Sequence, residues 1–420
     1  MSRLTIVNAR LLTLAARPGF TDGLAPIGPR RGSALRELGI IERGTISVHN
    51  ERITSITAEP YVQPTAGERI VDAGGCVVMP AFVDCHTHAC WAGDRFDEFE
   101  LRLGGASYLD ILKAGGGIMS TVRAVRAVDE DELVELLLTR LARMAALGTG
   151  TVEIKSGYGL DTDTELKMLR AIRRASELAP QMIVPTFLGA HAIDPENPHC
   201  VEQTITETLP TVAMEFPGIT CDAYCEEGAW SLDDARRLFE SALDMGCSIR
   251  VHADQFNSLG MTRLAADMGA VSVDHLEATT ADDLSHLAHS NTVGVALPCS
   301  GFHLDAGYMA ARPFVDGGGA LAIASNYNPG SSPTPSMPFT IALACRKLRL
   351  NPMEAITAST WNAACVVNAQ DEVGSLEIGK RADILVMDFA DERELGHEFA
   401  TPGPRVVILN GRIVFERQSA

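Results

Sequence analysis

The chain contains eleven histidines, and five of them fall where chemistry could be built. His86 and His88 stand two residues apart at the end of an apolar, β-branched stretch. In an extended chain, residues i and i+2 point to the same side, so one strand end can turn two imidazoles toward a single cation. A lone H-x-H is a weak motif. It gains weight here because His191, His252 and His275 close three further apolar stretches. His252, followed by Ala253-Asp254-Gln255, is the best third metal ligand; the blander reading is a hydrogen-bonded core histidine. His191 and His275 could be ligands, bases or substrate anchors, and spacing alone leaves those roles open. His303 stays open too, while His49, His199, His286, His289 and His397 read as surface or packing residues.

Imidazoles can converge only if the elements that carry them end on one side of the fold. Eight apolar runs fit that need: 77–84, 149–155, 182–189, 219–224, 247–251, 270–274, 292–297 and 320–324. Helical patterns lie between most of them, notably 131–147 and 164–178, and Ser231-Leu-Asp-Asp and Thr280-Ala-Asp-Asp resemble helix-opening capping sequences. Strands alternating with helices imply parallel βαβ units, and eight units close a (β/α)₈ barrel of about 250 residues. In such barrels the chemistry sits at the C-terminal strand ends. Besides the histidines, those ends hold Lys155-Ser-Gly-Tyr158, Glu226, Pro298-Cys-Ser300 and Ser325-Asn326-Tyr327-Asn328-Pro-Gly330. Both termini read as short strands and turns, including an Asn410-Gly411 hairpin. The expected organisation is an α/β chain: a TIM barrel over 76–367, with a small β-sandwich domain built from 1–75 and 368–420.

Bulk properties narrow the partners. Hydrophobic residues make up 46% of 420, enough for a sizeable core, and the net charge is −19. That negative field disfavours nucleic acid and anionic membranes. The start of the chain lacks a signal-peptide pattern and no long apolar run reads as a membrane span, so a cytoplasmic location is expected. Ten scattered cysteines read as reduced, buried thiols.

Several stretches are specific enough to carry a resemblance. Val78-Met-Pro-Ala-Phe-Val-Asp-Cys-His-Thr-His88 and Gly379-Lys-Arg-Ala-Asp-Ile-Leu385 resemble the opening and closing motifs of the amidohydrolase superfamily. Gly93-Asp-Arg95 with Glu98-Phe99, Gly115-Gly-Gly-Ile118, Thr151 to Leu160, Gly189-Ala-His191-Ala and Asn328-Pro-Gly-Ser331 resemble the imidazolonepropionase family within it. The resemblance spans roughly residues 70 to 390. It implies one divalent metal, zinc or iron, held by His86, His88 and His252, with Asn326 at the fourth-ligand position. It further implies His275 beside the nucleophilic water, Gln255 near the ring nitrogens, and Arg95, Tyr108, Tyr158 and His191 around the substrate's carboxylate and ring. Asn328, Gly330 and Ser331 would line the pocket. The implied reaction is hydrolytic opening of 4-imidazolone-5-propanoate to N-formimidoyl-L-glutamate in histidine degradation, by a homodimer. A protein at −19 needs a local cation to hold such an anionic substrate, and the planar fork of Arg95 suits a carboxylate.

Asn326 departs from the family pattern, which has aspartate there. An amide oxygen can meet a metal but cannot act as a base at neutral pH. Three readings stay open: an engineered change that slows turnover, a natural variant in which His275 takes the proton, or a protein that keeps binding and has lost catalysis. The enzymatic rival is another cyclic amidohydrolase or a deaminase acting on a neutral ring, against which Arg95 argues.

Overall fold

The computed structural model describes residues 3–15, 28–58, 67–105 and 116–417. Tyr108 and Gly115 of the expected site and motif residues lie outside them.

Two eight-stranded sheets organise these residues. The first is built from both termini. It contains β1 (Arg3–Leu12), β2 (Ile40–His49), β3 (Arg52–Thr57), β4 (Glu68–Asp72) and β5 (Val77–Pro80) from the start of the chain. From its end come β14 (Ile384–Val386), β15 (Val406–Leu409) and β16 (Arg412–Glu416). Their inward residues, among them Leu4, Ile6, Ile46, Val48, Ile53, Val78, Ile384 and Ile408, share one apolar cluster.

The second sheet is the barrel: β6 (Phe82–Asp84), β7 (Thr149–Lys155), β8 (Met182–Ala190), β9 (Thr220–Cys225), β10 (Ile249–Ala253), β11 (Ser272–His275), β12 (Val293–Ala296) and β13 (Leu321–Ile323). All neighbouring pairs run parallel and follow chain order from β6 to β13. Contacts just beyond the two end strands close the ring. Thr87 bridges Tyr327, and the Asn326 and Tyr327 main chains hydrogen-bond to those of His86 and His88 at 3.1 and 3.0 Å. The Asp84 carboxylate adds a clasp by accepting from the Ser325 amide and hydroxyl.

The expected run 77–84 is in fact two strands. Val77–Pro80 pairs with β1 and β14 in the terminal sheet, and Phe82–Asp84 pairs with β7 in the barrel. Ala81 is the crossing point. A continuous apolar run cannot reveal such a change of partner, because both halves are equally buried. The expected helices are present as Glu130–Ala146 and Thr162–Leu178, capped by Asp129 and Asp161. Ser231 and Thr280 cap helices as the sequence predicts. Pro298-Cys-Ser300, read as a strand end, opens the helix Pro298–Leu304 instead. Proline is tolerated at a first helical turn, where its missing N–H costs nothing.

The barrel interior departs from the usual layers of branched apolar side chains. Along β7, Glu153 and Lys155 alternate with Val152 and Ile154. Asp222 alternates with Cys221 and Ala223 in β9, and Arg250 and His252 alternate with Ile249, Val251 and Ala253 in β10. Strand periodicity sends the apolar set to one face and the charged set to the other. The charged set is buried and forms a network of its own.

Candidate active site

The histidines converge at the C-terminal end of the barrel. His86, His252 and His275 bring ligand nitrogens within 4.8 Å of one another. His88 joins them, its Nε2 lying 3.3 Å from Nε2 of His252. His191 stacks on His88 with ring centroids 4.8 Å apart, and Tyr158 lies 5.2 Å from His191.

Carboxylates from deeper in the barrel orient two of these rings. His86 Nδ1 meets Asp274 Oδ2 at 2.5 Å, and His252 Nδ1 meets Asp222 Oδ1 at 3.1 Å. Each ring donates its Nδ1 proton to its carboxylate, which leaves Nε2 as a lone-pair donor facing the site. The carboxylates are balanced in turn. Lys155 Nζ lies 2.7 Å from both Glu153 and Asp222, and Arg250 pairs with Asp274 and Glu153. Burial alone would raise the Asp222 carboxyl; the His252 ring that donates to it, with the charges of Lys155 and Arg250, overrides that and holds it well below the usual range. Burial pushes His86 and His88 well down and His252 down to about 3, so these imidazoles are neutral, the form that binds a metal.

The donor set fits a divalent cation. Among the described residues, His86 Nε2 and Asn326 Oδ1 are both buried without a hydrogen-bond partner. Nε2 of His88 and Nε2 of His252 face each other at 3.3 Å, a spacing at which one ring can donate to the other or both can turn lone pairs to one cation. Backbone strain marks the same region: Asp254, His275 and Asn326, none of them glycine, adopt φ of 57°, 85° and 55°. Such strain persists where surrounding structure imposes it, which is common at functional sites.

The remaining expected residues occupy the walls. Tyr158 is buried, and burial raises its phenol. Gln255 accepts from the Tyr224 hydroxyl at 3.0 Å. His275 Nδ1 lies 3.2 Å from Glu277. Asn328 organises its own loop: Oδ1 accepts the Gly330 and Ser331 amides at 2.8 and 2.7 Å, and Nδ2 donates to the Asn326 carbonyl. Arg95 precedes the helix Phe96–Leu103, pairs through Nε and Nη2 with Glu98, and brings its guanidinium against Gly330. His303, left open by the sequence, stacks on Phe99 of that helix. A surface hollow lined by Ala270, His286, Ser290 and Thr292 lies at the opposite end of the strands and holds none of these groups.

Sequence reasoning missed Glu153, Asp222, Arg250 and Asp274 as site components. The available signal was a lone charge inside each of these runs read as apolar, doubled at two-residue spacing only in Glu153 and Lys155.

A parallel barrel whose strand ends gather imidazoles over buried carboxylates has the build of a metal-assisted hydrolase. The amidohydrolase family pattern matches residues 77–414, and the chain belongs to that family. Its relatives narrow the branch to the imidazolonepropionases. It is 45% identical over 405 residues to the imidazolonepropionase of Herpetosiphon aurantiacus, covering 94% of this chain and 95% of that one. It is 40% identical over 427 residues to that of Solibacter usitatus, covering 100% of both. Among solved structures, 5-methylcytosine deaminase from Klebsiella pneumoniae, liganded with 5-fluorocytosine, superposes with a TM-score of 0.73 at 18% identity, covering 99% and 98%. N-isopropylammelide isopropylaminohydrolase from Burkholderia multivorans gives 0.69 at 18% identity, covering 98% of both. At that identity the likeness is one of fold. All ten cysteines are unpaired, and no helix among the described residues is long and apolar enough to cross a membrane.

Proposed function

We propose that this chain hydrolyses 4-imidazolone-5-propanoate to N-formimidoyl-L-glutamate, the ring opening of histidine degradation. The observation that carries this reading is the convergence of four buried imidazoles at one barrel end. Full-length kinship with imidazolonepropionases supports the choice of substrate.

His86, His88 and His252 would hold the metal, with Asn326 Oδ1 able to complete the set. Zinc and iron both suit three imidazoles and an oxygen. When bound, a divalent cation supplies hydroxide at neutral pH by lowering the pKa of water from about 15.7 to roughly 7. Asp222 and Asp274 keep His252 and His86 in the tautomer that presents Nε2. His275, with Nδ1 toward Glu277, can take up and return a proton at Nε2 beside the scissile bond. Tyr158 and His191 flank the ring, and Tyr224 turns Gln255 toward it. Arg95 and the loop Asn328–Ser331 form the side that receives the propanoate. We assign the barrel unit to residues 76–367 and the terminal unit to 1–75 with 368–420, acting in the cytoplasm as a homodimer on a small anionic substrate.

The test is direct. Zinc- or iron-loaded protein should consume imidazolone absorbance and yield formimidoylglutamate, with neutral purines and pyrimidines left unchanged. Turnover of the neutral rings in place of the propanoate would overturn the assignment. Asn326 supports a second reading, a protein that binds the ligand without turning it over. Metal-loaded protein that binds the propanoate, and stays inert after Asn326→Asp, would establish that alternative.

A further inference from the structure

Arg95 is less available for a ligand than its sequence setting implies. Its Nε and Nη2 both go to Glu98, and Nη1 makes only a 3.4 Å contact with the Thr121 hydroxyl. The Nε/Nη2 edge of the guanidinium is therefore occupied from within the protein, which leaves only the Nη1 end for a ligand. Glu98 is nearly buried and fully engaged. It also accepts from Arg102 Nη2 at 3.0 Å and from the Gly117 amide at 2.9 Å.

Arg102 is one helical turn beyond Glu98, and its position matches that of Arg95. Its Nη2 reaches the carbonyl of Gly330, the same residue that Arg95 packs against. Its Nη1 is buried and has no acceptor among the described residues. A buried guanidinium nitrogen without a partner is costly unless something arrives to accept from it. Arg95, Glu98 and Arg102 together carry one net positive charge beside the strand-eight loop.

We propose that the substrate's carboxylate site is a pair of arginines, Arg95 and Arg102, strung on Glu98. The Nη1 group of Arg102 is the ligand-directed donor, and Glu98 is the positioning residue that fixes both forks against Gly330. The inference rests on the propanoate reading given above. Glu98 and Gly330 gain a shared purpose from it: the carboxylate spaces the two cations, and the missing side chain leaves them room.

The experiment is calorimetric binding of imidazole-4-propanoate and of imidazole-4-propanamide to the zinc-loaded protein, which requires no turnover. Wild type should prefer the propanoate by roughly tenfold or more, since only the acid form can use a charged hydrogen bond. Arg102→Met should weaken the propanoate by about 10- to 100-fold and leave the amide within about twofold. Arg102→Lys, which keeps the charge and loses the fork, should fall between them and serves if the methionine variant does not fold. Unchanged propanoate binding in either folded variant, with wild type still discriminating, overturns the arginine pair and leaves the proposed reaction standing. A wild type that binds acid and amide alike overturns the carboxylate reading, and the pair with it.

Discussion

The two sides of the barrel mouth are built to different standards. On the β9–β11 side, the carboxylates Asp222 and Asp274 hold His252 and the His86 ring that reaches across from the end of β6, and each carboxylate leans on Arg250 or Lys155. On the β13 side, Asn326 presents a neutral amide oxygen with no partner. The first side is fixed from behind by charges that cannot leave. The second has one uncharged group held by a strained backbone. Orientation of the metal ligands is thus secured independently of the group that would collect a proton, so binding and turnover can fail separately.

That separation can be broken most severely at His252. Replacing it with alanine removes a central donor, and zinc content measured by mass spectrometry after dialysis should fall by roughly nine-tenths or more. Retained stoichiometric metal would refute its place in the ligand set. Asp222→Asn keeps the shape and removes the charge behind His252. Metal affinity in a chelator competition should drop about 10- to 100-fold, the usual range for an outer partner of a ligand. An unchanged affinity would mean that the Asp222 charge does not tune His252 as a ligand.

The opposite side sharpens the contrast by gain. Asn326→Asp adds a base and a negative charge, and kcat should rise by roughly tenfold or more. Equal rates in both forms would assign the proton to another group, His275 first. The smallest change is Gly330→Ala. A Cβ there would lie 3.2 Å from Arg95 Nη1, so the guanidinium must yield by a few tenths of an ångström. KM should rise by about two- to fivefold with kcat nearly constant, the scale of a mild overpacking. A fall in kcat at constant KM would place Gly330 nearer the chemistry than the carboxylate.

Much of this was legible in the residues themselves. Terminal imidazoles on short apolar runs told where the mouth lies, because strand direction and helix alternation leave one place for polar ends to gather. The charged layer beneath was not legible. Glu153, Asp222, Arg250 and Asp274 are scattered over runs that are otherwise largely apolar, and their mutual pairing exists only once the five strands from β7 to β11 are side by side. The crossing at Ala81 was hidden for a related reason: burial looks the same from either sheet. Arg95 was found by its type, yet its attachment to Glu98 and the parallel position of Arg102 depend on a helix turn meeting a distant loop.

The crossing at Ala81 also sets an order of assembly. Five residues before His86, the chain is still part of a sheet whose antiparallel partner for Val78–Pro80 is Ile384–Val386. During synthesis, which delivers the N-terminal end first, that partner emerges only after some three hundred further residues. The stretch leading into the histidine pair therefore lacks one flank while the ribosome makes the rest of the barrel. A chain cut short before residue 384 would lose more than a peripheral strand: it would lose one of the two flanks, β14 beside β1, that hold the stretch from which the first two imidazoles are aimed.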